Sequence, residues 1–185
     1  MSRISQMMGP VRTTMRMRQV ESPDIDDRIS YIMEEIDEGK RDPRIRKLAS
    51  DALTGKKQDG SWAVEEKDWN AEVDAIFYFV RKNVRYTRDI QDIELFQKAG
   101  RTLELKIGDC DDLSILLGSM LQAVGYPVIL RVIGLNGGTY QHIYVVAGLP
   151  PHDPKEWKPL DASRPEGPGW EIKEGVTLQT DYLVE

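Results

Sequence analysis

"KIGDCDDLSILLGSMLQAVGYPVILRVIGL", residues 106–135, changes its period halfway along. Leu113, Leu116, Leu117, Met120, Leu121 and Val124 recur at helical spacing, and Gly125 is suited to close a helix. After Tyr126 and Pro127 the pattern becomes an almost unbroken apolar run, which reads as a strand. A second strand, YQHIYVVAGL (140–149), follows the tripeptide NGG at 136–138, a hairpin turn signal. EWKPLDAS (156–163) reads as a third strand ending at a turn, and VTLQTDYLV (176–184) as a further strand with no evident task. A helix running straight into a small antiparallel sheet makes the fold class α+β. Gly118 and Ser119 near the middle of that helix leave room for another element to approach closely.

Upstream, helices dominate. Ser22 and Pro23 suit an N-cap and the first helical position, Ile25, Ile29, Ile32, Met33 and Ile36 follow at helical spacing, and Gly39 is expected to close the segment. Asp42 and Pro43 open a second helix carrying Ile45, Leu48, Ala49, Ala52 and Leu53, which stops at Gly55. GKKQDGS (55–61) is a polar loop. Trp69, Val73, Ile76, Phe77, Val80 and Val84 form the stripe of a third helix over about 67–84, ending in an extended VRYTRD. Residues 87–109 show little period, with a short helical turn expected around Ile93–Lys98.

The 185 residues are enough for one domain with its own core and an appendage. No apolar run reaches the ~20 residues of a membrane helix, and Gly9 and Pro10 interrupt any secretory core after Met7 and Met8. A cytoplasmic location is the expectation. Twenty-five basic against 31 acidic residues leave a net charge of −6, unevenly spread. Residues 1–20 carry Arg3, Arg12, Arg16 and Arg18 without an acid, so the remainder carries −10. Four arginines without interleaved aromatics make nucleic acid a poor partner; a frayed, solvated terminus is the plainer reading of the arm, and the methionines at 7, 8, 15 and 17 suit docking on an apolar protein surface.

The single cysteine cannot form an internal disulfide. Read alone, a cysteine before a leucine-rich helix is compatible with inert core. Cys110 nevertheless stands at the first turn of its helix, where free N–H groups favour a thiolate and can hold an oxyanion. Asp109, Asp111 and Asp112 suit the same terminus as caps, but their charge opposes ionisation of a thiol. A thiolate there needs a positive partner, and His142 on the second hairpin strand is the candidate. Period-two spacing puts Tyr140, His142 and Tyr144 on one sheet face. His152, in PPHDP, is the poorer base. Asp161 ends the next strand, and a connection of about 10 residues allows the two strands to pair antiparallel. Its carboxylate would then orient the imidazole. One cysteine, two scattered histidines and these carboxylates lack zinc spacing, so no metal and no cofactor is expected.

The order Cys110, His142, Asp161 resembles the transglutaminase-like cysteine-protease superfamily. The resemblance is carried by VDAIFYFVRKNVRYTRD (73–89), TLELKIGDCDDLSILLGSMLQAVGYPVILRVIG (102–134), HIYVVAG (142–148) and WKPLDAS (157–163). It implies a papain-like α+β core and a catalytic triad of Cys110, His142 and Asp161. Family members often read HAW or HVW where this chain reads HIY, so an aromatic, Tyr144, is kept. The resemblance also implies an oxyanion donor upstream of the cysteine, for which Gln97, Tyr86 and Trp69 are the candidates. The expected organisation is a basic, Met-rich arm (1–21), a helical extension (22–64) and a transglutaminase-like domain (65–185). The implied activity is thiol-dependent acyl transfer at an amide bond of a protein or peptide, with hydrolysis favoured over cross-linking. Compact relatives of this kind occur in bacterial and tailed-phage genomes, so the alternative is a non-catalytic structural module, such as a virion or assembly protein, on the same scaffold.

Overall fold

A computed structural model describes residues 25–88 and 96–185. The chain runs α1 (Ile25–Arg41), α2 (Pro43–Leu53), α3 (Trp69–Asn83), β1 (Arg85–Tyr86), α4 (Ala99–Leu105), β2 (Ile107–Gly108), α5 (Cys110–Ala123), β3 (Val128–Leu135), β4 (Tyr140–Leu149), β5 (Glu156–Leu160) and β6 (Val176–Val184). The four long strands form one antiparallel sheet in the order β5-β4-β3-β6. Helices cover one face of that sheet, which is the expected α+β architecture. The tail segment 176–184, without a task in the sequence reading, is the outer strand beside β3.

The NGG turn closes as expected. Asn136 and Gly137 both adopt positive φ (53° and 77°), and the amide of Gly138 donates to the carbonyl of Leu135. That geometry matches the twist of the two flanking strands. Asp42 caps α2 by accepting from the amide of Arg44, and Asp68 caps α3 by accepting from that of Ala71. The expected cap at Ser22 and Pro23 lies outside the described residues, as do residues 93–95 of the turn expected around Ile93–Lys98, while residues 96–98 are not helical and the helix starts only at Ala99. Helix α4, over 99–105, was not legible, because seven residues give barely two turns of period.

Gly39 does not close α1, which continues to Arg41. A Cβ at Gly39 would stand 2.2 Å from Ser119 Oγ, and one at Gly118 would stand 2.9 Å from Ile36 Cδ1. These glycines let α1 lie directly against α5. Ile29, Ile32 and Ile36 of α1, Ile45 of α2, Phe77 and Val80 of α3, Leu116 and Leu117 of α5, Leu130 of β3 and Val145 of β4 share one buried core. Ile133, Tyr144 and Val146 form a smaller cluster on the opposite sheet face. There Arg131 ties β3 to the tail by ion pairs to Glu171 (2.8 Å) and Asp181 (2.7 Å).

Candidate active site

Three aspartates surround Cys110, and each has a different partner. Asp109 is the N-cap of α5, its carboxylate accepting from the amides of Asp111 and Asp112, with Asp112 reaching back to the amide of Asp109. Asp112 is held again from outside the helix, by the backbone N–H and side-chain Nε2 of Gln97, both at 2.7 Å. A Cβ at position 108 would stand 2.7 Å from Asp112 Cβ, so Gly108 is the residue that lets the strand meet the helix here. Asp111 points the other way and pairs with Arg28 of α1 at 2.5 Å.

The thiol is largely enclosed. Its sulfur faces Asp111 Oδ1 at 3.9 Å and the backbone amide of Ile143. Burial pushes the Cys110 thiol well up, the carboxylates of Asp111 and Asp109 push it further, and Arg28 and the Ile143 amide pull it down by less. The N-terminus of α5 favours a thiolate. Desolvation and the two carboxylates oppose it, so the folded thiol holds its proton to higher pH than a free cysteine does.

His142 and Asp161 are joined, His142 Nε2 lying 2.6 Å from Asp161 Oδ2 with both side chains buried. The expected antiparallel pairing of β4 with β5 makes this contact, since Val145 pairs with Leu160 and Asp161 is the next residue. The other oxygen of Asp161 accepts from the amide (3.1 Å) and the hydroxyl (2.6 Å) of Ser163. The sequence reading missed Ser163, although a polar residue two positions after an aspartate is a turn signal.

Of Tyr140, His142 and Tyr144, expected on one face, His142 and Tyr144 share it and Tyr140 does not. Ile133 pairs with His142 and Gly134 with Tyr140, so Gln141 is an extra residue, a β-bulge. The bulge shifts the alternation, and Tyr140 packs into the large core while Tyr144 packs on the opposite face. The imidazole lies 5.8 Å from the Tyr144 ring, between centroids. Cys110 and His142 line one cleft with Ile25, Arg28 and Ile29, and Cys110 and Asp161 line a second with Leu113, Ser114 and Ser163. No hydrogen bond joins the thiol to the imidazole among the described residues; Asp161 occupies Nε2, which leaves Nδ1 as the ring's other proton site.

None of the three candidate oxyanion donors lines either cleft. Gln97 is engaged by Asp112, Trp69 stands edge-on to His152 at 6.2 Å, and Tyr86 is exposed on β1. His152 likewise lines neither cleft. No described helix is long and apolar enough to cross a membrane.

Several solved structures are similar to this chain. A candidate cysteine protease from Cytophaga hutchinsonii is 21% identical over 65% of this chain and 37% of its own, with a TM-score of 0.44. A candidate protease from Parabacteroides distasonis is 15% identical over 71% and 29%, with a TM-score of 0.46. A structure described as a TGase is 14% identical over 77% and 34%, with a TM-score of 0.43. The chain thus spans little more than a third of those proteins at most. No curated protein matches it in sequence. Residues 56–162, more than half of the chain, match the family model described as the transglutaminase-like superfamily. This protein belongs to the transglutaminase-like superfamily.

Proposed function

We propose that this protein is a thiol-dependent enzyme acting on an amide bond, with Cys110 as nucleophile, His142 as general base and acid, and Asp161 as the group that orients the imidazole. Hydrolysis is favoured over cross-linking, so the activity is that of a cysteine peptidase or amidase. The observation that carries the reading is the buried His142–Asp161 pair, at 2.6 Å, beside a cleft that Cys110 also lines. A carboxylate accepting at Nε2 fixes the ring N–H there, and Nδ1 keeps the lone pair a base needs.

The resting sulfur is protonated, so the reaction starts from a neutral thiol. The step requires the sulfur to leave Asp111 for the ring of His142, which lines the same cleft. Nδ1 takes the thiol proton as sulfur attacks the carbonyl carbon, and the C–N bond breaks as the imidazolium returns that proton to the leaving amine. The product of this half is a thioester. Water, deprotonated at Nδ1, then attacks the thioester, releasing a carboxylic acid and restoring the thiol. The amide of Cys110, at the N-terminus of α5, suits the oxyanion formed in both halves.

A second reading is favoured by the missing thiol–imidazole bond: a non-catalytic module, structural in a virion or assembly, that keeps the scaffold. One experiment separates the two. The protein is incubated with an activated thiol-directed acyl donor, and the adduct is followed by intact mass in wild type, Cys110→Ala and His142→Ala. The enzymatic reading expects adduct in wild type, none without Cys110, and acylation at least about a hundredfold slower without His142. Equal acylation with and without the histidine removes the base from the mechanism and leaves the module.

A further inference from the structure

Arg28 belongs to α1, ahead of the residues that match the family model, yet it reaches the surroundings of the thiol. Its guanidinium pairs with Asp111 Oδ2 at 2.5 Å and lies over the Phe96 ring, 5.7 Å from the centroid. Asp111 is 4% exposed in its side chain and Arg28 is 26% exposed, so the pair sits at the edge of the core rather than in open solvent. The second oxygen of the same carboxylate is the one that faces sulfur, at 3.9 Å. The chain of contact is therefore guanidinium, carboxylate, thiol, with α1 and α5 each supplying one end.

We propose that Arg28 is a positioning residue for Cys110, holding and neutralising the Asp111 carboxylate so that it does not act on the sulfur as an uncompensated charge. The proposal rests on Cys110 being the nucleophile of the reading above. Other charged groups around the thiol have their own partners. On α5, Asp109 caps the helix and Asp112 is bonded by Gln97. On α1, Asp26 accepts from the Tyr182 hydroxyl and Asp27 is exposed. On β4, Tyr140 bonds Thr180, and His142 bonds Asp161. Among these described groups Arg28 is the permanent cation. A carboxylate about 4 Å from the sulfur is close enough for its neutralisation to be felt. The ion pair is half sheltered, so screening by salt leaves part of the effect.

The test uses the single thiol of the full chain. Rates of iodoacetamide alkylation at Cys110 are measured against pH by intact mass in wild type, Arg28→Ala, Arg28→Lys, Asp111→Asn and the Arg28→Ala/Asp111→Asn double variant, each checked for folding by circular dichroism. The midpoint of each profile reports the charge around sulfur, and the alkaline plateau reports access. Arg28→Ala is expected to move the midpoint to higher pH and lower the rate at pH 7 about tenfold, the thiolate fraction lost for each whole step in pKa. Arg28→Lys restores most of it, Asp111→Asn moves the midpoint to lower pH, and the double variant returns near wild type. An Arg28→Ala profile that changes only in its plateau, or coincides with wild type, overturns the proposal. If Arg28→Ala does not fold, an unmoved midpoint in Asp111→Asn overturns it instead. Failure of acyl trapping in every protein, with these midpoints still shifting, counts against the proposed function and leaves the Arg28 contact standing.

Discussion

At the scale of single residues, the candidate site is a set of carboxylates given unlike tasks by unlike neighbours. Asp161 touches His142 with one oxygen and Ser163 with the other. Under the proposed mechanism, Asp161→Asn presents Nε2 with an amide, which can stabilise the wrong tautomer. Acylation of Cys110 is expected to slow by about 10² to 10⁴, the range of general acid–base catalysis. Ser163→Ala removes one neutral-to-charged hydrogen bond, worth about 1.5–3 kcal/mol at most, and should slow acylation by a smaller factor with the pH profile preserved. Stopped acylation assays on both variants check the order. The His142–Asp161 contact was legible because it follows from two strands, a short connection and the side-chain period. Arg28 was not, because nothing local to residue 28 says that its helix will lie across the mouth of α5. Nor was the fate of Gln97, whose amide satisfies Asp112 from a separate segment of chain.

At the scale of elements, two glycines and one bulge decide what the helices and strands can do. An isolated helix gains about 0.5–1 kcal/mol when an interior glycine becomes alanine. Gly39→Ala is expected to do the opposite here, since the new methyl would stand 2.2 Å from Ser119 Oγ and 2.8 Å from Ser119 Cβ. A loss of about 1–3 kcal/mol, the usual range for overpacking, should appear as a lower urea midpoint, and Ser119→Gly in the same chain should recover part of it. A gain in stability from Gly39→Ala alone would mean that α1 does not press on α5 as described. The helices α1, α2, α3 and α5 and the strands β3 to β6 were legible because each carries a long apolar repeat or a clear turn. Helix α4 was too short to show one. The bulge at Gln141 was hidden because it depends on register against β3, and a one-residue shift reverses which side chains face the core.

At the scale of the whole molecule, one core joins α1 and α2 to the segment that matches the family, so chemistry at the thiol and stability of the fold share atoms. The raised pKa of Cys110 has a global consequence. An unfolded cysteine titrates near 8.5, whereas the folded chain holds its proton to higher pH. Above about 8.5 the unfolded state therefore binds fewer protons, and stability falls as pH rises until the folded thiol ionises. Below that pH the contribution is fully present. Tyr31, pushed up to about 12, adds a similar loss, but only from about pH 10, where an unfolded tyrosine begins to ionise. Urea unfolding between about pH 7 and about pH 9.5 should thus show a decline in wild type that is shallower in Cys110→Ala. Equal slopes would mean that the thiol titrates in the native protein much as it does in the unfolded chain.

The interlocking of Gly39 with Ser119, and of Gly118 with Ile36, has an evolutionary corollary. Mutational drift on one side of such a seam is tolerated only when the facing position shrinks to match. A lineage carrying the leading helix should therefore accumulate paired exchanges across it, whereas any lineage without that helix would be free to place a bulkier residue at the position of Gly118.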